Sequence, residues 1–330
     1  MCTEDINLFA TDEFYAGILH VPTAIEVTVQ LFGAYIILTK TPRKICSVKF
    51  NMVLLHIVGA IVDLYLSFIA SPMLTLPVSS GYPLGFSLIL GIPTDVQVYL
   101  GCVFVGVMCV AVTIFFEDRY HRLIHGHTTN GSLNWKRTLY VVLNYTISVT
   151  FIIPAYLKLP NPEVAKQYVK NINPCIPNEV LNRREYFVFA TDNTIVNACL
   201  LSMFFICLPQ KLYFLGAIFR YFSQTVSLSA TTARLQKQFF YSMCIQIFIP
   251  VAFISLPVSY FVMASENDYY NQAATNIAMI AIACHGVLST IVMLIVHTPH
   301  RKSILATLHF KSEQAVRNSQ LIWKTVVSRA

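Results

Sequence analysis

The sequence predicts an all-α membrane protein: a bundle of seven transmembrane helices with its N-terminus outside, its C-terminus inside, and a short amphipathic helix after the last span. Three observations predict it. Hydrophobic residues make up 55% of the chain and charged ones only 12%, about half the charge that coats a soluble domain. The apolar residues run in long blocks, giving a mean hydropathy of +0.60. Finally, Lys and Arg are sorted unevenly among the segments that join those blocks.

A hydrocarbon core about 30 Å thick needs about 20 helical residues at 1.5 Å each. Seven blocks qualify: Tyr15–Thr39, Phe50–Ala70, Val96–Phe116, Thr138–Leu157, Phe187–Leu208, Phe239–Met263 and Ala274–Val296. The fifth has room to continue through Pro209 to Leu215. Leu84–Ile92 is apolar but too short to cross, and Gly81, Pro83, Gly85, Gly91 and Pro93 break it. It reads as an outer loop near the interface. The start of the chain is acidic (Glu4, Asp5, Asp12, Glu13) and lacks the basic n-region of a secretory signal, so the first span is expected to act as a retained insertion signal.

Orientation follows from the basic residues. With the N-terminus outside, the inner segments hold 18 of the 23. The first inner loop has Lys40, Arg43, Lys44 and Lys49, and the second has Arg119, Arg122, Lys136 and Arg137. The third has Lys211, Arg220, Arg234 and Lys237, and the tail carries six more. The other five lie between spans four and five. The net charge of +7 therefore faces anionic headgroups or a cytoplasmic protein and argues against a nucleic-acid partner. The expected organisation is an outer segment 1–14, a membrane bundle 15–297 and an inner tail 298–330. In the tail, Ile304, Leu305, Leu308 and Phe310 fall at helical spacing among basic residues, the pattern of an interfacial helix. The sequon at Asn130 then lies inside, and that at Asn144 within span four; neither should carry a glycan.

Enzyme chemistry has no foothold. There is no GxSxG, HExxH or paired-carboxylate pattern and no internal repeat of the kind transporters show. His121 and His125 are four apart, a spacing that suits two metal ligands, but Gly126 interrupts a helix there and no third ligand is near, so a solvated loop is the reading. No metal or cofactor is expected. Five cysteines (Cys102, Cys109, Cys199, Cys207, Cys284) sit in apolar blocks and read as small buried hydrophobes. The most chemically informative stretch ends span three: Glu117-Asp118-Arg119-Tyr120. A guanidinium beside two carboxylates at a helix end forms a two-state element, held in one packing and released toward a partner in another.

That group, at that place in seven spans, resembles the rhodopsin-like G-protein-coupled receptors. More closely, the chain resembles the nematode chemoreceptor family called serpentine receptor, class H, and does so nearly end to end. The matching features begin with Lys40-Thr41-Pro42, then Pro72 to Pro77 followed by Gly81-Tyr82-Pro83-Leu84-Gly85. Next come Phe116 to Tyr120, Pro174-Cys175-Ile176-Pro177, and Leu235-Gln236 leading to Gln246 and Pro250. The last are His285 to Thr290 and Pro299-His300-Arg301. The resemblance implies a receptor for external small molecules on the plasma membrane, typically in the cilia of sensory neurons, coupled to a heterotrimeric G protein. Under it Arg119, Arg234, Lys237 and the post-seven helix face the G protein. The chain departs from the broader pattern in span seven, which has no Asn-Pro-x-x-Tyr. It also departs in span three, where Cys102 lies about a third of the way in. Cys175 is left with two candidate disulfide partners, Cys102 and Cys2. An inverted seven-helix odorant channel is the competing class; it needs the N-terminus inside, against the basic count.

Ionisable groups within spans cost roughly 2.5–3.5 kcal/mol each, so they avoid lipid. Glu26 and His56 read as interhelical hydrogen-bonding groups. Asp63, His285 and Ser289 read as a polar core. Cys102, Asp192, Asn193 and Asn276 are candidates for an outward-opening ligand cavity, and Gln246, Pro250 and Pro257 for a hinge in span six, because each proline removes a backbone hydrogen bond.

Overall fold

The computed structural model of the chain describes residues 8–40, 46–125, 135–174, 176–224, 241–242, 244–245, 248–296 and 301. Six helices are long and apolar enough to cross a bilayer: Asp12–Thr39, Lys49–Ile69, Thr94–Ile124, Trp135–Tyr156, Thr194–Gln224 and Phe248–Glu266. Gln272–Ala283 and His285–Val296 together make a seventh, bent by 44° between its halves. Large apolar side chains stand outward on these helices, among them Val21, Leu31, Phe50, Leu212, Phe219 and Phe248. A water-facing bundle does not expose such a belt, and a lipid-facing one requires it.

The span count holds, with three shifts in detail. The third helix runs past Phe116 to His125, so the acidic–Arg group lies within it. The fifth begins at Thr194 rather than Phe187 and runs through Pro209 to Gln224. Lys211, assigned to an inner loop from its position after Pro209, therefore lies in the fifth-span helix, as does Arg220, and Arg119, Arg122, Lys136 and Arg137 likewise lie on the ends of the third and fourth helices instead of in a loop. Finally, the sixth is not uniformly α-helical. Between Pro250 and Pro257, the two prolines among the three hinge candidates, residues Val251–Ser255 wind as a π-helix, a wider turn that absorbs bonds proline cannot make.

One end of the bundle carries a small sheet that the helical reading lacked. Strands β1 (Pro72–Leu74), β2 (Ser79–Pro83) and β3 (Phe187–Ala190) pair antiparallel in the order β1-β2-β3. The last is the stretch assigned to the top of span five. Met73 pairs with Tyr82, Leu74 with Gly81, and Gly81 with Phe187. A Cβ at Gly81 would stand 2.2 Å from the Met73 carbonyl oxygen, so the strands approach this closely only at glycine. Strands of three to five residues have no periodicity long enough to separate them from helix ends or loops.

Side chains fasten the sheet to the helices. Tyr186 Oη is hydrogen-bonded to Thr75 Oγ1 (2.8 Å) and Ser80 Oγ (2.9 Å). Asp12, opening the first span, accepts from Tyr82 Oη at 2.7 Å and Arg183 Nη1 at 3.0 Å, and the Arg183 guanidinium lies over the Tyr82 ring. Burial, and then the adjoining Asp12 carboxylate, push the Tyr82 phenol well above its ordinary value. We refer to this as the sheet end, and to the opposite one as the Arg119 end.

Candidate functional site

A cavity of about 280 Å³ lies beneath the sheet and descends between the helices, close to the size of a small-molecule site. Its wall on the fifth span is one helical face: Val196, Leu200, Met203, Cys207 and Lys211 recur at four- and three-residue steps. On the third span, Val98, Cys102, Val105 and Cys109 do the same. The polar groups are few and spread out, with Gln97, Asn197 and Ser265 near the sheet end and Lys211 at depth. Asn197 Nδ2 donates to Ser265 Oγ (2.9 Å) and Glu266 Oε1 (2.6 Å), tying the fifth span to the sixth beside the opening.

Below it sits a polar break in the seventh span. Gly286 N–H donates to Asp63 Oδ1 at 3.0 Å and Val287 N–H to Asp63 Oδ2 at 2.7 Å. Those amides begin His285–Val296 and would bond to carbonyls four residues back in an unbroken helix. The Asp63 carboxylate from the second span has entered that ladder and caps the second half-helix, which accounts for the 44° bend. The site demands glycine: a Cβ at residue 286 would stand 2.3 Å from Asp63 Oδ2. His285 Nδ1 lies 3.4 Å from Asp63 Oδ1, and both side chains are fully buried. Ser289 lines an adjoining cavity of about 40 Å³ with His56, His285 and Thr290.

Glu26 and His56 bond between helices, as read. Ser67 Oγ donates to Glu26 Oε2 at 3.0 Å. His56 Nε2 is 2.8 Å from the Gln30 carbonyl, and Thr290 Oγ1 donates to Gln30 Oε1 at 2.9 Å, joining spans one, two and seven.

At the Arg119 end the carboxylates are engaged differently from the sequence reading. Arg137, from the fourth span, grips both. Its Nε donates to Glu117 Oε1 at 2.9 Å, and its Nη2 to Glu117 Oε2 at 2.9 Å and Asp118 Oδ1 at 2.7 Å. Arg122 Nε adds a bond to Asp118 Oδ2 at 2.8 Å. Arg119 itself is buried, its guanidinium 4.9 Å from the centre of the Phe115 ring. Tyr120 packs against Tyr213 and Phe214 of the fifth span, and nearby Tyr140 donates to Gln210. The clamp thus joins spans three and four, on the same helix whose other end lines the large cavity.

The seven-span bundle thus carries a cavity under a small sheet at one end and an acidic–Arg cluster at the other. A family model described as Serpentine type 7TM GPCR chemoreceptor Srh matches residues 10–310. The chain belongs to the Srh family of chemoreceptors. It is also similar to Serpentine receptor class H-72 of Caenorhabditis elegans, 27% identical over 322 residues that cover 96% of this chain and 91% of that receptor. The family is one of multi-pass membrane receptors, not of enzymes.

Within this Srh-family chain the candidate cavity residues separate. Cys102 lines the cavity with a free thiol; Cys175 and Cys2, and with them the pairing expected of Cys175, lie outside the described residues. Asp192 and Asn193 precede the fifth span instead of lying within it. Asn193 Oδ1 accepts from Ser79 Oγ at 2.6 Å, and its Nδ2 donates to the Pro77 carbonyl, pinning the sheet. Asn276 donates to the Phe9 carbonyl at 2.9 Å, holding the start of the chain rather than facing the cavity. Arg234, Lys237, Gln246 and the tail helix fall outside the described residues. Among the cavity residues that sequence reading missed are the polar Gln97, Asn197, Ser265 and Lys211.

Asp192 is exposed and caps the fifth span, accepting from Thr194 Oγ1 (2.6 Å) and Thr194 N–H (3.0 Å). Those bonds hold its carboxyl below the ordinary value. A lowered folded-state value means stability that is present above the unfolded-state value and lost as pH falls through the folded one. Asp192→Asn is therefore expected to unfold less steeply with acid than wild type below about pH 4. Thermal unfolding midpoints of the two proteins across that range check it.

Proposed function

We propose that this Srh-family chain is a chemosensory receptor of the plasma membrane, placed in sensory cilia, that binds an external small molecule and activates a heterotrimeric G protein. The sheet end faces outside and the Arg119 end inside, with residues 298–330 as the cytoplasmic tail. The observation that carries this reading is the third span. One helix lines the large cavity at Cys102 and Val105 and holds the Glu117–Asp118–Arg137 clamp four turns further along. A ligand that repacks the cavity wall acts on the element that sets the clamp.

The packing offers two places where a shift is accommodated. The π-helical Val251–Ser255 segment lines the cavity through Val251, Ile254 and Ser255, so ligand contact there bears directly on the hinge of span six. The broken seventh span is held by one carboxylate rather than by a continuous ladder. An inward signal on this reading is a population shift: the ligand favours the packing in which the inner face is open and Arg119 meets the G protein.

Expression with a G-protein readout and a panel of volatile and water-soluble compounds tests the reading. An agonist response that is lost in Arg119→Ala, at unchanged surface expression, is expected. Responses that survive this substitution unchanged would remove Arg119 from the coupling role.

A further inference from the structure

The large cavity has a chemical asymmetry beyond its apolar character. Among the described residues on its wall, Lys211 is the one charged side chain, and no Asp or Glu lines the space. Lys211 is 6% exposed, and the hydrogen bonds and ion pairs among the described residues give it no partner. Its neighbours on the same helical face, Cys207, Leu208 and Phe204, are apolar or nearly so. A cationic side chain buried at membrane depth without a counter-charge is costly and is found where it faces a cavity and a function. From Val196 to Lys211 the fifth-span wall is about 22 Å long at 1.5 Å per residue, so the lysine lies deep below the sheet.

We infer that the cavity takes an amphipathic anion, an apolar chain ending in a carboxylate, with the chain against the wall of spans three, five and six and the carboxylate on Lys211. The inference rests on the receptor reading of this cavity and adds the ligand's chemical class. The wall supplies what an alkyl chain needs, apolar surface along its length, and what its head needs, one cationic donor where the chain ends. A carboxylate there completes a charge-assisted hydrogen bond in a low-dielectric site. A neutral alcohol of the same length keeps the apolar burial but lacks the charge.

The test uses the full-length receptor in phosphatidylcholine nanodiscs, with straight-chain acids from hexanoate to dodecanoate and the alcohols of equal length as probes. Thermal shift and direct binding are the readouts. Acids are expected to bind about tenfold to a hundredfold more tightly than the matching alcohols. Lys211→Met should erase that preference while leaving the ligand-free protein at least as stable as wild type, since it removes a buried charge; Lys211→Arg should retain part of it. Equal affinity for acid and alcohol, no binding either by the acids added from water or by oleate carried in the bilayer, or an acid preference that persists in Lys211→Met would overturn the proposal. So would a ligand-free Lys211→Met protein that is clearly less stable, because the lysine would then have a structural partner. Val105→Trp, which fills the cavity away from Lys211, separates this from the reading beneath it. If Val105→Trp abolishes binding and Lys211→Met does not alter it, only the anion is wrong; if Val105→Trp leaves binding of both probe classes intact, the cavity is not the site. Binding of oleate carried in the bilayer, but not of acids added from water, would support the chemistry and assign the membrane as its source.

Discussion

Asp63→Ala is expected to destabilise the bundle by roughly 2–6 kcal/mol, because it orphans two buried amides at about 1–3 kcal/mol each. Gly286 N–H and Val287 N–H have given up carbonyls within their own helix for this carboxylate, and lipid offers them no replacement acceptor. The protein should lose most of its surface expression and unfold at markedly lower temperature in detergent. Asp63→Asn should fall between, since its amide oxygen still accepts from one N–H while its amide nitrogen faces the other. Gly286→Ala is expected to damage the same site from the opposite side, as its Cβ would collide with Asp63 Oδ2. Wild-type stability in both Asp63→Ala and Gly286→Ala would mean that the bend in the seventh span is held by something else.

Removing the guanidinium at Arg137 is expected to have the second large effect, and to act on signalling as well as stability. Glu117 and Asp118 are 6% and 1% exposed, so Arg137→Ala takes from the nearly buried Glu117 carboxylate the guanidinium that pairs with it and leaves Asp118 to Arg122. The loss should be roughly 3 kcal/mol, the lower end for a buried ion pair because the Arg137 side chain is itself 30% exposed. On the proposed reading, breaking the tie between spans three and four also raises ligand-independent G-protein signalling. Arg137→Gln combined with Glu117→Gln removes charge from both sides and should recover much of the stability, while basal signalling stays high. Thermal unfolding together with basal second-messenger levels separates the two consequences. A variant that unfolds early yet shows no rise in basal signal would make the clamp purely structural.

Much of the bundle is legible in the sequence because the bilayer imposes a length and a composition on each span. The blocks from Tyr15, Phe50, Val96 and Thr138 mark helices whose starts the structure places within a few residues. Legibility fails at the far end of the fifth span. The block had room to pass Pro209 only as far as Leu215, whereas the helix continues to Gln224, and Lys211 was counted with the inner loop although its spacing from Cys207 and Met203 continues the face that lines the cavity. It also fails at Phe187–Ala190, where four apolar residues ahead of a helix carry no period and the strand is defined by its partners, Ser79–Gly81. Asp63 and His285 were readable as a polar pair because both sit in apolar blocks. Their geometry, a cap on a broken helix, was not, since nothing local marks where an α-helix without proline will break. Arg137 lies 19 residues from Asp118, and only the antiparallel packing of spans three and four makes them neighbours.

The assignment of ends to sides of the membrane underlies the ligand site, the clamp and the direction of the signal together, and glycan mapping tests it most directly. Val164→Asn with Lys166→Thr creates an acceptor site on the helix Pro162–Ile172 at the sheet end, where residue 164 is 66% exposed. The account predicts a glycosidase-sensitive mass increase for that protein, and none attributable to the native sequon at Asn130. A glycan on Asn130, removed by Asn130→Gln, with the engineered site left bare, would place the sheet end in the cytoplasm and contradict it.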